Sequence, residues 1–332
     1  MKAIVHHRYG DPDVLRLADV ETPTPTRSQV LVRVRAASVN ARDWHFLRGD
    51  PYVARLGAPE LGLRGPKVTV RGTDFAGVVE AVGADVTHLH PGDDVYGEAH
   101  GAFAEYVCAP ARAVSTMPRN LTYGQAAAVP LAANTALIGL RDRARVGAGH
   151  RVLINGASGG VGTFAVQLAK AYGAEVTAVC SAMNAELVES LGADHTVDYT
   201  RDDFARDRGR YDVVLDLVGN RSLADLRRAL TPRGTVVLSG GGVSGGGSLV
   251  GPMGLMVRGT LVARFVRHRV LQLSAVPSAA NLAVLTELLE SGKLTPIVER
   301  TYPLAETAAA IRRLEVEHAR AKIVVRVGDH PW

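Results

Sequence analysis

The chain has 332 residues, 47% apolar and 5% aromatic, with a net charge of +5 and two cysteines, Cys108 and Cys180. That length allows two cores, and two cysteines exclude a disulfide framework or a four-cysteine zinc site, so a reducing, cytoplasmic compartment is expected. Basic residues are dispersed apart from a cluster at Arg264, Arg267, His268 and Arg269. No nucleic-acid reading module accompanies that cluster, so it reads as solvated or subunit-facing surface.

Residues 1–124 read as β-rich. Met1-Lys-Ala-Ile-Val-His-His7 lacks an apolar h-region, so no signal peptide is expected. Thr22-Pro-Thr-Pro-Thr26 reads as a connector, because two prolines exclude a central strand. Gln29–Arg35 alternates, with Val30, Val32 and Val34 on one face. Gly72–Gly83 reads as a buried strand element and Pro91-Gly-Asp-Asp94 as a turn into Val95-Tyr96. Gly101–Val107 is expected to be a further strand. Short strands punctuated by Gly and Pro suggest a compact, barrel-like domain.

Residues 125–276 change character. Strands are expected at 151–155, 175–180, 195–199, 212–217, 234–239 and 269–273. Helices are expected at 161–172, at 184–191 and at 222–230, the last capped by Ser222. Repeated βα units predict an α/β, doubly wound parallel sheet, with the ligand at the carboxyl ends of the strands. The apolar-rich segment 249–266 is interrupted by Arg258 and Arg264 and is not a membrane span. Gly240–Gly247 lies at the end of a core strand, where glycines let backbone approach a flat ring. Residues 277–332 add helices at 281–291 and 305–316 and strands at 295–302 and 322–327, and the tail is expected to return to the first domain.

The chemistry centres on Val152-Leu-Ile-Asn-Gly156-Ala-Ser-Gly159-Gly-Val-Gly162. An apolar run breaks into glycines and resumes with helical periodicity, which is the context of a phosphate-binding loop. Gly156 suits the tight turn, Gly159 the close approach of backbone N–H groups to a pyrophosphate, and Gly162 helix–strand packing. The spacing is G-x-x-G-x-x-G, so the pattern alone is a weak signal. In NAD-binding sheets an acidic residue about 20 positions further on holds the ribose 2′-OH. That place is Val179-Cys180-Ser181 here and carries no carboxylate. A carboxylate would repel a 2′-phosphate, so NADPH is expected, with Ser181 donating to a phosphate oxygen and Tyr199 packing on adenine or donating similarly.

Several stretches together resemble one family: Ser38-Val-Asn40-Ala-Arg-Asp43, Gly72-Thr-Asp-Phe-Ala-Gly-Val-Val79, Pro91-Gly-Asp-Asp-Val95, Gly156–Gly162, Tyr211-Asp-Val-Val-Leu-Asp216 and His318-Ala-Arg-Ala-Lys322. Their order and spacing are similar to those of the medium-chain dehydrogenase/reductase superfamily, in its zinc-independent quinone oxidoreductase branch. The resemblance implies a GroES-like catalytic domain built from both chain ends around a Rossmann domain, in a homodimer. It implies reduction by NADPH of a small-molecule quinone or of a C=C bond conjugated to a carbonyl, with no nucleic-acid or membrane partner. The zinc-dependent branch has a Cys soon after the first loop and then Gly-His-Glu. Asp43-Trp44 and Gly72-Thr73-Asp74 occupy those places here, so no zinc is expected.

The resemblance also places site residues. Asn40 receives a positioning or oxyanion role, Asp43 an orienting role, and Tyr52 and His45 possible substrate contacts. His45 is equally read as a loop histidine bonded to backbone. Thr135 matches a threonine near the nicotinamide ribose, preceded by Asn134 as a departure. Ser158, Gly159, Gly160 and Val161 carry over as pyrophosphate contacts, within the cofactor-binding loop that Gly156 and Gly162 shape, and Ser239 and Gly240 as nicotinamide-side backbone. His318, Ala319 and Arg320 resemble a segment that folds back on the cofactor, with Ala321 replacing a common glycine. Two other readings stay open: a zinc-free ketone or alcohol dehydrogenase or natural-product tailoring enzyme, and a non-catalytic NADPH-binding partner protein.

Overall fold

The computed structural model describes residues 1–58, 60–206, 208–239, 251, 253–263, 265–316 and 320–328. Two compact units emerge, Met1–Asn134 with Val276–Trp332, and Thr135–Ala275. In chain order the first unit runs β1 (Lys2–Val5), β2 (Arg16–Asp19), β3 (Gln29–Val39), α1 (Ala41–Arg48), α2 (Ala54–Gly57), β4 (Asp74–Val82), β5 (Asp94–Glu98), β6 (Tyr106–Pro110), β7 (Val114–Thr116), α3 (Tyr123–Ala127) and the start of α4 (Pro130–Leu137). The second unit runs β8 (Arg151–Asn155), α5 (Gly160–Ala171), β9 (Glu175–Cys180), α6 (Ala185–Ser190), β10 (His195–Asp198), β11 (Tyr211–Asp216), α7 (Leu223–Ala229), β12 (Leu230–Leu238), α8 (Met253–Val262) and β13 (Arg269–Gln272). The tail adds α9 (Ala279–Glu290), β14 (Val298–Pro303), α10 (Thr307–Val316) and β15 (Lys322–Arg326). The first boundary falls later than residue 124 because α3 packs on β3 and β4 and stays with them.

The first unit is built on a sheet of order β14-β15-β3-β4-β5-β7, with β6 also pairing β3. Both ends of the chain meet here: β15 lies antiparallel to β3, with Ile323 opposite Val39. The alternation read in β3 has a physical counterpart, since Val30, Val32 and Val34 are all buried in one cluster with Phe75, Val95, Phe103, Ile323 and Val325. Residues 101–105 differ from the expected strand. Phe103 bonds to Arg71 and to Ile4, and the Glu105 N–H bonds to Lys2, so this stretch bridges two elements instead of joining one ladder. A regular strand begins only at Tyr106.

The second unit is a six-stranded sheet of order β10-β9-β8-β11-β12-β13, and every pairing is parallel. Such a sheet is covered on both faces, so its strands carry near-continuous apolar runs. Val152, Leu153 and Ile154 are fully buried, each contributing about 1.5–3 kcal/mol. The strand order reverses between β8 and β11, which sets the glycine loop after β8 at the switch point. Helix α5 departs from the one-faced amphipathic pattern: Phe164, Val166 and Gln167 are buried along with Ala165, Leu168 and Ala169. Ser222 caps α7 as expected, its hydroxyl accepting from the Asp225 N–H at 3.2 Å.

Candidate active site

In the first unit the register of the sheet assembles a row of polar side chains. Ser38 on β3 stands opposite Asp74 on β4, and Asp74 stands opposite Glu98 on β5. Residues paired across strands share a face, so three buried polar side chains line up across the sheet. Directly after β3, Asn40 begins α1. The Asp43 carboxylate, three residues on, accepts from the Asn40 N–H at 2.9 Å, the N3-to-N-cap half of a capping box. Thr73 Oγ1 donates to the other Asp43 oxygen at 3.1 Å.

The Asn40 carboxamide turns toward the row. Its Nδ2 donates to Asp74 Oδ2 at 3.0 Å and, more weakly, to the Ser38 carbonyl at 3.4 Å. Its Oδ1 accepts from the Lys322 ammonium, which arrives at the start of β15 and also donates to the Val39 carbonyl at 3.1 Å. Lys322 Nζ lies 3.8 Å from Asp74 Oδ2. Asp74 further accepts from Ser38 Oγ at 3.2 Å and from the Leu131 N–H at 3.2 Å. Asn40 is 7% exposed, Lys322 2% and Asp74 not at all.

Burial sets the electrostatics. It pushes Asp74 up and Lys322 down, while their mutual attraction opposes both shifts. The contacts favour the charged pair: Ser38, Asn40 and the Leu131 N–H all donate to Asp74, and Val39 and Asn40 both accept from Lys322. Asp43 is pushed up to about 6, chiefly by burial. Glu98 is pushed up to about 8 by burial and by the like charge of Asp74, so its carboxyl is largely protonated at neutral pH. Asn134, which the sequence marked only as a departure, hydrogen-bonds Glu98, and it ties Val276 and Asn281 together as well.

His45 and Tyr52 have other partners. His45 Nδ1 lies 3.1 Å from the Asp50 carbonyl, the backbone-bonded alternative read from sequence, and burial lowers its pKa. Tyr52 is 42% exposed and packs beneath the Arg55 guanidinium. Thr135 is buried on α4. Arg320 is exposed, its N–H bonded to Glu299 at 3.1 Å. Gly240, His318 and Ala319 lie outside the described residues. Sequence reasoning missed Ser38, Asp74, Glu98 and Lys322 as functional candidates. One signal was present: a lysine leading the apolar Ile323-Val-Val325 run.

In the second unit the glycine loop is shaped by its own backbone. Gly156 has φ +88°. A Cβ on Gly162 would lie 2.1 Å from the Gly156 carbonyl oxygen and 2.6 Å from Ala157 backbone, so only glycine fits there. Gly159 differs: its φ is −79° and a Cβ would meet only the Gly156 oxygen, at 3.4 Å. Gly159 caps α5, whose Gly160, Val161 and Gly162 open the helix with N–H groups that have no partner within it. Asn184, another residue the sequence reading missed, donates to Ser158 Oγ at 3.2 Å and to Ser181 Oγ at 3.3 Å, linking the glycine loop to the end of β9. Tyr199, half-exposed, follows β10, its N–H bonded to the Cys180 carbonyl. Ser239 follows β12, its N–H bonded to Asp216.

Among the described residues no three His, Cys, Asp or Glu side chains gather as a metal site. Nor is any described helix long and apolar enough to cross a membrane.

Residues 26–119 match the family described as alcohol dehydrogenase GroES-like domain, and residues 191–325 match zinc-binding dehydrogenase. The chain is 35% identical to the 2-methylene-furan-3-one reductase of Solanum lycopersicum, over 98% of its own length and 79% of the relative's. It is equally 35% identical to the NADPH-dependent alkenal/one oxidoreductase, chloroplastic, of Arabidopsis thaliana, with the same coverage of 98% and 79%. The quinone oxidoreductase structure from Coxiella burnetii superposes with a TM-score of 0.84 at 33% identity, covering 99% of each chain. From its two-part fold and these likenesses, the chain is an oxidoreductase and belongs to the medium-chain dehydrogenase/reductase superfamily, in the zinc-independent, quinone oxidoreductase-like branch.

Proposed function

We propose that this protein uses NADPH to reduce a quinone, or the C=C bond of an α,β-unsaturated carbonyl compound, without a metal ion. The observation that carries the proposal is the hub around Asn40. The places that the resemblance assigns to metal ligands hold Asp43, Thr73 and Asp74: Asp43 accepts from the Asn40 N–H and from the Thr73 hydroxyl, and Asp74 accepts from Asn40 Nδ2 and pairs with the Lys322 ammonium. An enone or quinone suits such a site, since charge arriving at the β-carbon or ring delocalises onto oxygen, and modest hydrogen-bond donation stabilises it. The relatives named as an alkenal/one oxidoreductase and a quinone oxidoreductase support the same acceptor class.

Residues of the second unit fit the dinucleotide. Within the chain, Gly159 has no strained backbone and only one near contact for a side chain. Close approach of a ligand explains a glycine there, and the opening N–H groups of α5 would hold the pyrophosphate. Ser181, Asn184 and Tyr199 offer polar groups for a 2′-phosphate, and no carboxylate stands at the end of β9 to repel it. When bound, the reduced dinucleotide supplies the hydride. On the protein side, Asn40 steadies the acceptor oxygen, and Asp43 fixes the start of α1 on which Asn40 sits. A homodimer in the cytoplasm completes the proposal. The two free cysteines suit a reducing compartment, and light scattering of the purified protein tests the dimer.

The test is oxidation of NADPH and NADH, each with a panel of enones, quinones and saturated ketones. Turnover of enones or quinones with NADPH preferred is the expected result. Turnover of saturated ketones alone, preference for NADH, or activity that tracks a stoichiometric zinc ion would overturn the proposal.

A further inference from the structure

Lys322 is one of the costliest residues in the fold. An ammonium and a carboxylate, Asp74, are buried together at the edge of an apolar core. Such a pair adds little net stability compared with well-packed apolar residues. The backbone ladder separately joins β15 to β3 from Ile323 to Arg326. What distinguishes Lys322 and Asp74 is that both touch the same side chain. Asn40 Oδ1 faces the ammonium, and Asn40 Nδ2 faces the carboxylate at 3.0 Å.

The two ends of a carboxamide are nearly equal in shape and opposite in polarity. Sterics therefore leave two orientations open, and neighbours decide between them. Here the reverse orientation would set the amide N–H groups against Lys322 and the amide oxygen against Asp74, so both contacts would turn repulsive. The favoured orientation commits Oδ1 and one N–H. The second N–H reaches only the Ser38 carbonyl, at 3.4 Å. That weakly used N–H is the one group on Asn40 that an acceptor oxygen can claim.

We propose that Lys322, together with Asp74, is a positioning residue that locks the Asn40 carboxamide in the orientation presenting this N–H to the acceptor oxygen. The inference rests on the reductase reading above. Its test is a double-mutant cycle on acceptor kcat/KM, using Asn40→Ala, Lys322→Met and the double variant, with NADPH affinity followed by fluorescence. Each single change is expected to lower kcat/KM roughly 10- to 100-fold, the scale of losing a donor to a developing oxyanion, with NADPH affinity unchanged. In the Asn40→Ala background, Lys322→Met should cost no more than about 2-fold, because the group it aims is gone. Independent, multiplying losses would overturn the proposal. If Lys322→Met does not fold by circular dichroism, Asp74→Asn replaces it in the same cycle with the same requirement. A second readout does not depend on turnover. The Asn40 side-chain amide resonances, assigned by their loss in Asn40→Ala, should be slow to exchange in the native protein and should lose that protection in the Lys322 or Asp74 variant. Unchanged resonances would sink the orientation claim. Protection lost in the variant of a protein that reduces no enone or quinone would uphold the lock and reject only the acceptor.

Discussion

Glu98 gives the sharpest quantitative test of the polar row. It is 3% exposed, opposite Asp74 in the β4–β5 register, with Asn134 bonded to it and Arg42 and Lys322 as the nearby cations. Its ordinary value is 4.5, and in the folded chain it is pushed up to about 8. Between those values the unfolded chain is ionised while the folded chain holds the proton. Stability is therefore fully present below the unfolded value and is lost as pH rises toward 8. The slope is about 1.4 kcal/mol per pH unit, so the span from pH 5.5 to 8 is worth up to about 3 kcal/mol. Glu98→Gln keeps the shape and the neutral hydrogen bonding but removes the proton equilibrium. Urea unfolding of both proteins at several pH values, followed by the fluorescence of buried Trp44 in the same unit, isolates the Glu98 contribution as a difference. The variant should gain on the native protein steadily up to pH 8 and then run parallel to it. A difference that stays constant from pH 5.5 to 8 would refute the claim that the fold keeps Glu98 protonated.

Three further outcomes follow from local geometry. Gly162→Ala should displace the loop, since its Cβ would sit 2.1 Å from the Gly156 oxygen, costing about 1–3 kcal/mol and weakening NADPH binding at least tenfold in a fluorescence titration. Gly159→Ala should instead melt with the native protein and still bind NADPH more weakly; equal affinity would remove the case for a phosphate at that point. Ala321, with φ +56°, holds a left-handed backbone immediately before Lys322. Ala321→Gly should relieve about 0.5–1 kcal/mol, read as a rise in melting temperature, and a fall would show that the strain is absorbed elsewhere.

The parts of this protein legible in sequence are those whose causes are local. The glycine loop, the Ser222 cap and the parallel strands from Val152 to Leu238 each depend on residues close together in the chain. The Asn40–Asp43 contact also spans only three residues, although the resemblance, and not a capping pattern, singled the two out. The hub was not legible in this way. Lys322 and Asn40 are separated by 282 positions, and nothing near either residue announces the other. Nothing in Val95-Tyr-Gly-Glu98 marks Glu98 as a buried carboxylate. Only the register of β4 with β5 shows that it lies buried beside a second carboxylate. Tyr52 and His45 were placed by position through the resemblance, and in the structure their partners are local, the Arg55 guanidinium and the Asp50 carbonyl.

The cost of the hub is itself an argument about what it is for. Asp43, Asp74 and Glu98 are all nearly inaccessible, and burial drives each toward its protonated form. A sheet selected for stability alone would fill the Ser38–Asp74–Glu98 row with apolar side chains, as the opposite face of β3 is filled by Val30, Val32, Val34, Ala37 and Val39. Instead the row is polar at the one end of β3 from which Asn40 emerges. The donors and acceptors around Asn40 are also not interchangeable: Lys322 only donates, ionised Asp74 only accepts, and the carboxamide between them does both. In a cluster wired that way, replacing any one member changes how Asn40 is held before it changes whether the strands pair. The polarity of this row is therefore better explained by the geometry of a single carboxamide than by the strength of the sheet.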